Sequence, residues 1–161
     1  QALSIDFSNQ PVTVVDCPPS LASFEALFNG EGQEPSVVRL LLFQPNSVYL
    51  AGLPSRQDFA GLYRLLYGQR KINLVQSFGQ LASYLKMNAE KLKFMINVFS
   101  DAGFVTIKDG ILNLMDHSEK VDLTQTDHYL KMAAQYRAEK ILLFSDSKEV
   151  AEWLFNCLNV K

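Results

Sequence analysis

Between residues 95 and 114 the chain reads MINVFSDAGFVTIKDGILNL, and this stretch constrains the fold more than any other. Apolar residues at helical spacing run into Asp101-Ala102-Gly103, where a glycine can take the left-handed conformation that stops a helix. Two short strand-like runs follow, FVTIK and ILNLM, separated by Asp109-Gly110. A two-residue Asp-Gly connection suits the positive φ angles of a tight hairpin turn. Helix, stop and hairpin in this order is how the last helix and the wing of a winged helix are written. Such a module grips DNA or another protein.

The residues upstream fit the same plan. Pro54-Ser55 opens a helix in which Ser55 and Asp58 are spaced as a capping box, with Phe59, Leu62, Tyr63 and Leu66 as its buried stripe and Gly68 placed to end it. Residues 70–74 form a short extended link. Ser77 is positioned to cap a second helix that turns Phe78, Leu81, Ala82 and Leu85 inward. Met87-Asn88 makes the turn, Asn88 caps the third helix, and Leu92, Met95, Ile96 and Phe99 are its buried face.

The flanks have a different texture. VTVVD (12–16) and VVRLLLF (37–43) are β-branched and apolar runs on either side of a helical pattern, Leu21, Phe24, Leu27 and Phe28, which Ser20 can cap. Gly30 to Pro35 reads as a loop, and Pro45-Asn46-Ser47 turns the second strand into a further short run, VYLAG. Continuous apolar strands around a helix predict a small, buried, partly parallel sheet. At the other end, Asp122-Leu123-Thr124 starts a long helix. Ser145 or Asp146 interrupts it, and a last helix sets Val150, Trp153, Leu154, Cys157 and Leu158 on one face. The fold expected is mixed α+β (α/β): a partly parallel α/β unit over residues 1–52, incomplete at its N-terminus, a winged-helix module over 53–116, and a C-terminal helical pair over 117–161 that packs back on the rest.

The net charge of −2 and a pI near 5.7 give no overall basic field that would draw in nucleic acid. The start QALSIDF lacks an initiator Met and the layout of a signal peptide, so a fragment or processed chain is expected. No apolar run approaches the ~20 residues of a membrane span. Cys17 and Cys157 lie within apolar patterns and read as thiols of a reducing cytoplasm rather than as a disulfide.

Catalytic signals are missing. No glycine precedes a lysine as a phosphate-cradling loop requires, and Gly30-Glu31-Gly32 carries acidic neighbours that repel phosphate. Asp16 ends a strand, where α/β proteins place ligands, and an enzyme using Asp16 and Cys17 would need a concave pocket there. Asp116-His117 and Asp127-His128 are pairs of sequence neighbours, and neighbours on a helix point about 100° apart, so neither chelates a metal by itself. No catalytic residues and no metal ligands are expected in this segment.

The surface of the winged helix is what remains. Glu90, Lys93 and Asn97 fall on the outer face of the third helix, with Lys91 to one side, Lys86 at the turn, Lys108 on the wing, and Arg70 and Lys71 at the first short strand. The candidate DNA- or partner-binding residues are therefore Arg70, Lys71, Lys86, Lys91, Lys93, Asn97 and Lys108. Such cations neutralise phosphates, but Glu90, Asp101 and Asp109 dilute them, and the third helix has no arginine to read guanine edges.

VVDCPPSLASFEALF, YLAGLPSRQDFAGLYRLL, LASYLKMNAEKLKFMINVFSDAGFVTIKDGILNL and KVDLTQTDHYLKMAAQYRAEKILLFSDSKEVAEWLF together resemble the C-terminal domain of the bacterial RecJ family in its longer, Gram-positive-type form. Leu53-Pro54-Ser55-Arg56, the wing entry Phe104-Val105-Thr106-Ile107 and Val121-Asp122-Leu123-Thr124 carry most of the likeness. The resemblance implies an accessory domain of a single-stranded-DNA-specific 5′→3′ exonuclease of recombination and repair. It places Mn²⁺ or Mg²⁺, with the Asp-His-His signature, in the parent's nuclease core and leaves this segment without a cofactor. It also implies contacts with single-stranded DNA, weak and non-specific, or with single-stranded-DNA-binding protein or a helicase. A cytoplasmic protein with no membrane association follows, and the sequence sets no oligomeric state. The competing expectation is a free-standing winged-helix DNA-binding regulator.

Overall fold

The structure, a computed structural model, describes residues 9–28, 35–116 and 120–159, the side chains of 157–159 excepted. Expectations about His117 and about the side chains of Cys157 and Leu158 lie outside the described residues. The protein is mixed α+β, and its contacts divide into two compact units, residues 1–52 with 131–161 and residues 53–130.

In the first unit, β1 (Pro11–Val15) and β2 (Val37–Leu41) pair in parallel, Pro11 opposite Val37 and Val15 opposite Leu41. Between them runs α1 (Leu21–Glu25), capped by the Ser20 hydroxyl, which accepts the Ser23 N–H at 3.0 Å. The helix is shorter than its apolar spacing suggests. Phe28 is buried beyond its end, while Leu27 is 47% exposed. Phe24, Phe28 and Leu142 form the core, and Val12, Val14, Val38, Leu40, Trp153 and Leu154 pack around them.

Burial along both strands alternates instead of being continuous. The run VYLAG is not extended: α2 (Val48–Ala51) is a single helical turn capped by Ser47 and closed by Gly52 at φ 72°. Later in the chain come α6 (Asp127–Phe144) and α7 (Ser147–Asn159). Between them Asp146 Oδ1 accepts the N–H groups of Lys148 and Glu149, both at 2.9 Å. A carboxylate there both caps the new helix and complements its dipole. By contact clustering the start of α6, up to Leu130, groups with the second unit and the rest of α6 and α7 with the first.

The second unit begins with α3 (Arg56–Gln69), whose capping box is complete: Ser55 Oγ accepts the Asp58 N–H and Asp58 Oδ2 accepts the Ser55 N–H. The helix passes Gly68 and is capped by Arg70 at φ 60°. After β3 (Lys71–Asn73), α4 (Leu74–Tyr84) starts earlier than expected, because Asn73 and not Ser77 is its cap, its Oδ1 accepting the Gln76 N–H at 3.2 Å. A long-range bond explains the shift. The Leu74 N–H donates to Gly110 O at 2.8 Å, so the hairpin turn fixes where the strand gives way to helix.

Asn88 caps α5 (Ala89–Asp101) as the sequence predicts, and Gly103 ends it at φ 75°. The hairpin β4 (Val105–Lys108) and β5 (Ile111–Leu114) turns through Asp109 at φ 52° and Gly110 at φ 73°. The antiparallel sheet has the order β3-β5-β4. Its inner residues Ile72, Leu112 and Val105 are nearly inaccessible to water, as are Leu62 and Leu66 of α3 and Leu92, Met95 and Val98 of α5. Side chains of this size contribute about 1.5–3 kcal/mol each when fully buried.

Candidate nucleic-acid and partner interface

The candidate cations fall into two groups, set by two different elements. One belongs to the α4–α5 turn and α5. Lys86 is exposed in the turn at φ 53°, Glu90 and Lys93 are exposed on the helix, and Asn97 is half-buried. Helical periodicity decides this: Leu92, Met95, Ile96 and Phe99 take the inner face, and Glu90, Lys93 and Asn97 are left on the other.

Lys91 is placed otherwise. Its ammonium lies 2.9 Å from Asp58 Oδ2, and the two side chains are only 26% and 27% exposed. Partial burial pushes the Asp58 carboxyl up, but the Lys91 hydrogen bond, the Ser55 N–H and hydroxyl, and the Lys91 charge together hold it below its ordinary value. Lys91 therefore ties α5 to the start of α3, with its charge already compensated.

The second group belongs to the sheet. Register puts Lys71 opposite Asn113 and Asn113 opposite Thr106, with Asn73, Ile111 and Lys108 in the next row of the same face. Lys71, Asn73, Thr106 and Lys108 on this outer face are exposed, and the three strands place no carboxylate on it. Just before β3, the Arg70 guanidinium is 2.6 Å from Asp116 Oδ1 and 5.4 Å from the Tyr67 ring centroid. Tyr67 was not among the residues picked out by sequence. Its place at the end of α3, beyond the buried stripe and next to two cations, is the signal that marks it.

The two Asp-His pairs separate. Asp116 holds Arg70. His128 binds Asp101 through Nδ1 at 2.8 Å and through its backbone N–H at 2.9 Å, so Asp101 serves the first turn of α6. No group of three or more His, Cys, Asp or Glu side chains that could hold a metal occurs among the described residues.

The first unit holds a buried acid that no motif announced. Glu139 is fully buried, and its Oε2 accepts the Ser47 hydroxyl at 2.8 Å and the Tyr49 N–H at 2.9 Å, while Oε1 accepts Gln135 Nε2 at 2.9 Å. Desolvation pushes this carboxyl up, yet the N–H of Tyr49, the Ser47 hydroxyl, Gln135 and the N–H of Val48 together bring it below the ordinary value. Ser47 and Glu139 lie 92 positions apart, so nothing local could have paired them. Burial first, and the Glu139 charge second, push the nearby Cys17 thiol up to about 11. A thiol so reluctant to ionise is a poor nucleophile, and its neighbour Asp16 is exposed at φ 68°.

In class, this is a mixed α+β chain that presents cations on a helix face and on a sheet face of its second unit. Comparison supplies the particular family. The chain belongs to the family described as single-strand DNA-specific exonuclease, C terminal domain, whose model matches residues 1–154. It is 28% identical over 154 residues to the single-stranded-DNA-specific exonuclease RecJ of Bacillus subtilis (strain 168), a match that takes in 96% of this chain and 19% of that protein. The chain thus spans about a fifth of the length of the curated relative it matches. No solved structure matches it at a significant level. Among the described residues, no helix is long and apolar enough to cross a membrane.

Proposed function

We propose that this chain is a noncatalytic accessory domain of a RecJ-like single-stranded-DNA exonuclease, serving DNA recombination and repair by bringing DNA or partner proteins to the nuclease. The family match across residues 1–154 carries this reading. Within it, residues 53–130 hold a winged helix, with α4 and α5 as the helix-turn-helix, β4 and β5 as the wing, and β3 completing the sheet.

Glu90 beside Lys93, and the absence of arginine from α5, favour sequence-independent phosphate contact or a protein surface over the reading of bases. Single-stranded DNA is the nucleic-acid partner under this reading, and single-stranded-DNA-binding protein or a helicase the protein partner. Under this reading the Mn²⁺ or Mg²⁺ chemistry belongs to a nuclease core outside this segment. The whole enzyme is cytoplasmic.

The test is incubation of the isolated chain with Mn²⁺ and 5′-ended single strands. The strands are expected to stay intact, while deletion of the domain from the parent enzyme lowers its recruitment to coated single strands. Degradation by the isolated chain overturns the reading.

A further inference from the structure

The parallel sheet of the first unit is clothed on one face only. Val12, Val14, Val38 and Leu40 pack on the Phe24 core, and Leu42 continues that row. On the other face the register sets Thr13 beside Arg39 and Val15 beside Leu41. The Cys17 N–H donates to Phe43 O at 3.4 Å, so the pairing runs on past Leu41, and Phe43 stands two positions further along the same face. Val15, Leu41 and Phe43 are all exposed. Asp16 follows β1 with a left-handed φ of 68°, which breaks the alternation and leaves the residue exposed beside that row. Among the described residues, no ion pair engages Arg39 or Asp16.

We propose that this face docks a second copy of the chain, related by a two-fold axis that crosses the Val15–Leu41 row at right angles to the strands. Parallel sheets are normally covered on both faces, and an exposed apolar row rimmed by polar groups marks an interaction site. Charge decides the occupant and its orientation. An axis along the strands would bring the two Arg39 guanidiniums into the same row, like charge against like. The crosswise axis sets Leu41 against Leu41 and Val15 against Val15. Residues along a strand are about 3.3 Å apart, so it carries the second copy's Arg39 about 6.6 Å past the axis. That position lies over Phe43, on the same strand, and next to Asp16. A ring face and a carboxylate there suit one guanidinium, and sheets packed about 10 Å apart leave it within reach. The face thus complements itself, as an isologous contact requires. Two short strands offer less than the about 800 Å² per partner of a standard interface, so the association is transient, with dimers forming at about 0.05–1 mM. The contact uses the first unit alone and does not depend on the accessory-domain reading.

The test is sedimentation of the whole chain at concentrations from about 0.01 to 1 mM. A monomer–dimer equilibrium is expected, with the dimer as the largest species, because a two-fold contact closes on itself. Leu41→Lys places two ammonium groups at the axis and is expected to weaken dimerisation at least about tenfold, and Val15→Lys, its neighbour in the register, to do the same. Arg39→Gln and Asp16→Asn are each expected to weaken it about tenfold, since each removes both symmetry-related pairs. The double variant is expected to lose no more than either single one. Asparagine tolerates the left-handed φ of position 16, all four positions are exposed, and thermal melts of each variant check folding.

A chain that stays monomeric to about 1 mM overturns the proposal and leaves the face to another protein. Association that Leu41→Lys and Val15→Lys leave unchanged overturns it as well, because the contact then lies elsewhere. Growth beyond the dimer, or additive losses in the Arg39 and Asp16 variants, overturns the crosswise axis. Each of these failures leaves the accessory-domain reading standing, since that reading is decided by the nuclease assay.

Discussion

The two sheets of this protein obey the same two-residue alternation and present opposite surfaces. The three-stranded sheet turns Ile72, Leu112 and Val105 inward and Lys71, Thr106 and Lys108 outward. The two-stranded parallel sheet turns Val12, Val14, Val38 and Leu40 inward, but its other face shows Val15 at 59% exposure and Leu41 at 65%, with Phe43 beyond them also at 65%. Antiparallel hairpins commonly keep one wet face, whereas parallel strands are usually covered on both. The lesson is that a polar outer face marks the three-stranded sheet as finished against water, whereas the parallel sheet mixes the polar pair Thr13 and Arg39 with an exposed apolar row of Val15 and Leu41 that does not mark it in that way.

The difference also shows in how each sheet is supported. Two strands alone are marginal, so the first unit depends on Phe24, which is fully buried with ring centroids 5.3 Å from Phe28 and 5.6 Å from Trp153. Phe24→Ala is expected to cost about 3–5 kcal/mol, the largest effect proposed for either sheet. Trp153, the sole tryptophan, reports it directly through fluorescence-monitored urea unfolding. A loss under about 1 kcal/mol would mean that the sheet has other support.

Glu139 is the next support of that unit. Removing its carboxylate in Glu139→Ala leaves the Ser47 hydroxyl, the Tyr49 N–H and the Gln135 amide without their acceptor, at a cost of about 1–3 kcal/mol. The pH dependence has a definite sign. The carboxyl is depressed in the folded chain and ordinary, about 4.3, in the unfolded one, so its stabilisation is complete above that value and is lost as pH falls through the lower folded value. Unfolding midpoints measured from neutral pH down to about 3 should fall steeply in the wild type and more gently in Glu139→Gln. The same variant should bring the Cys17 thiol down from about 11, read by the pH dependence of its alkylation.

The three-stranded sheet depends instead on its turn. Gly110 has φ 73°, and a Cβ there would meet Val75 Cγ2 at 2.6 Å. Gly110→Ala is therefore expected to cost about 1–3 kcal/mol in thermal or denaturant unfolding, through strain and displacement of Val75. Asp109→Asn, which tolerates the left-handed conformation, should be nearly silent.

The smallest expected effect bears most directly on the comparison. Leu41→Lys on the apolar outer row should change stability by no more than about 0.5 kcal/mol, while reducing self-association in sedimentation experiments. A cost of a core mutation at this site would show that the face is covered after all.

Much of this protein could be read directly from its residues. Ser55 with Asp58, Asn88, Gly103 and Asp109-Gly110 each act within a few positions, and each stands where the sequence puts it. The inner stripe of α5 was equally plain, since Leu92, Met95, Ile96 and Phe99 repeat at the helical period. Local chemistry and periodicity are sequence properties, so they survive without knowledge of the fold.

What the tertiary structure alone decided depends on partners distant in the chain. The start of α4 moved to Asn73 because the Leu74 N–H found Gly110 O. Lys91 left the set of free cations because Asp58 reaches it from another helix, and Glu139 became a buried acid because Ser47 and Tyr49 surround it. Tyr67 and Arg70 gained their place from the strand that follows them and from Asp116. A charge's availability is set by what lies within about 4 Å of it, and the order of residues along a chain does not contain that distance.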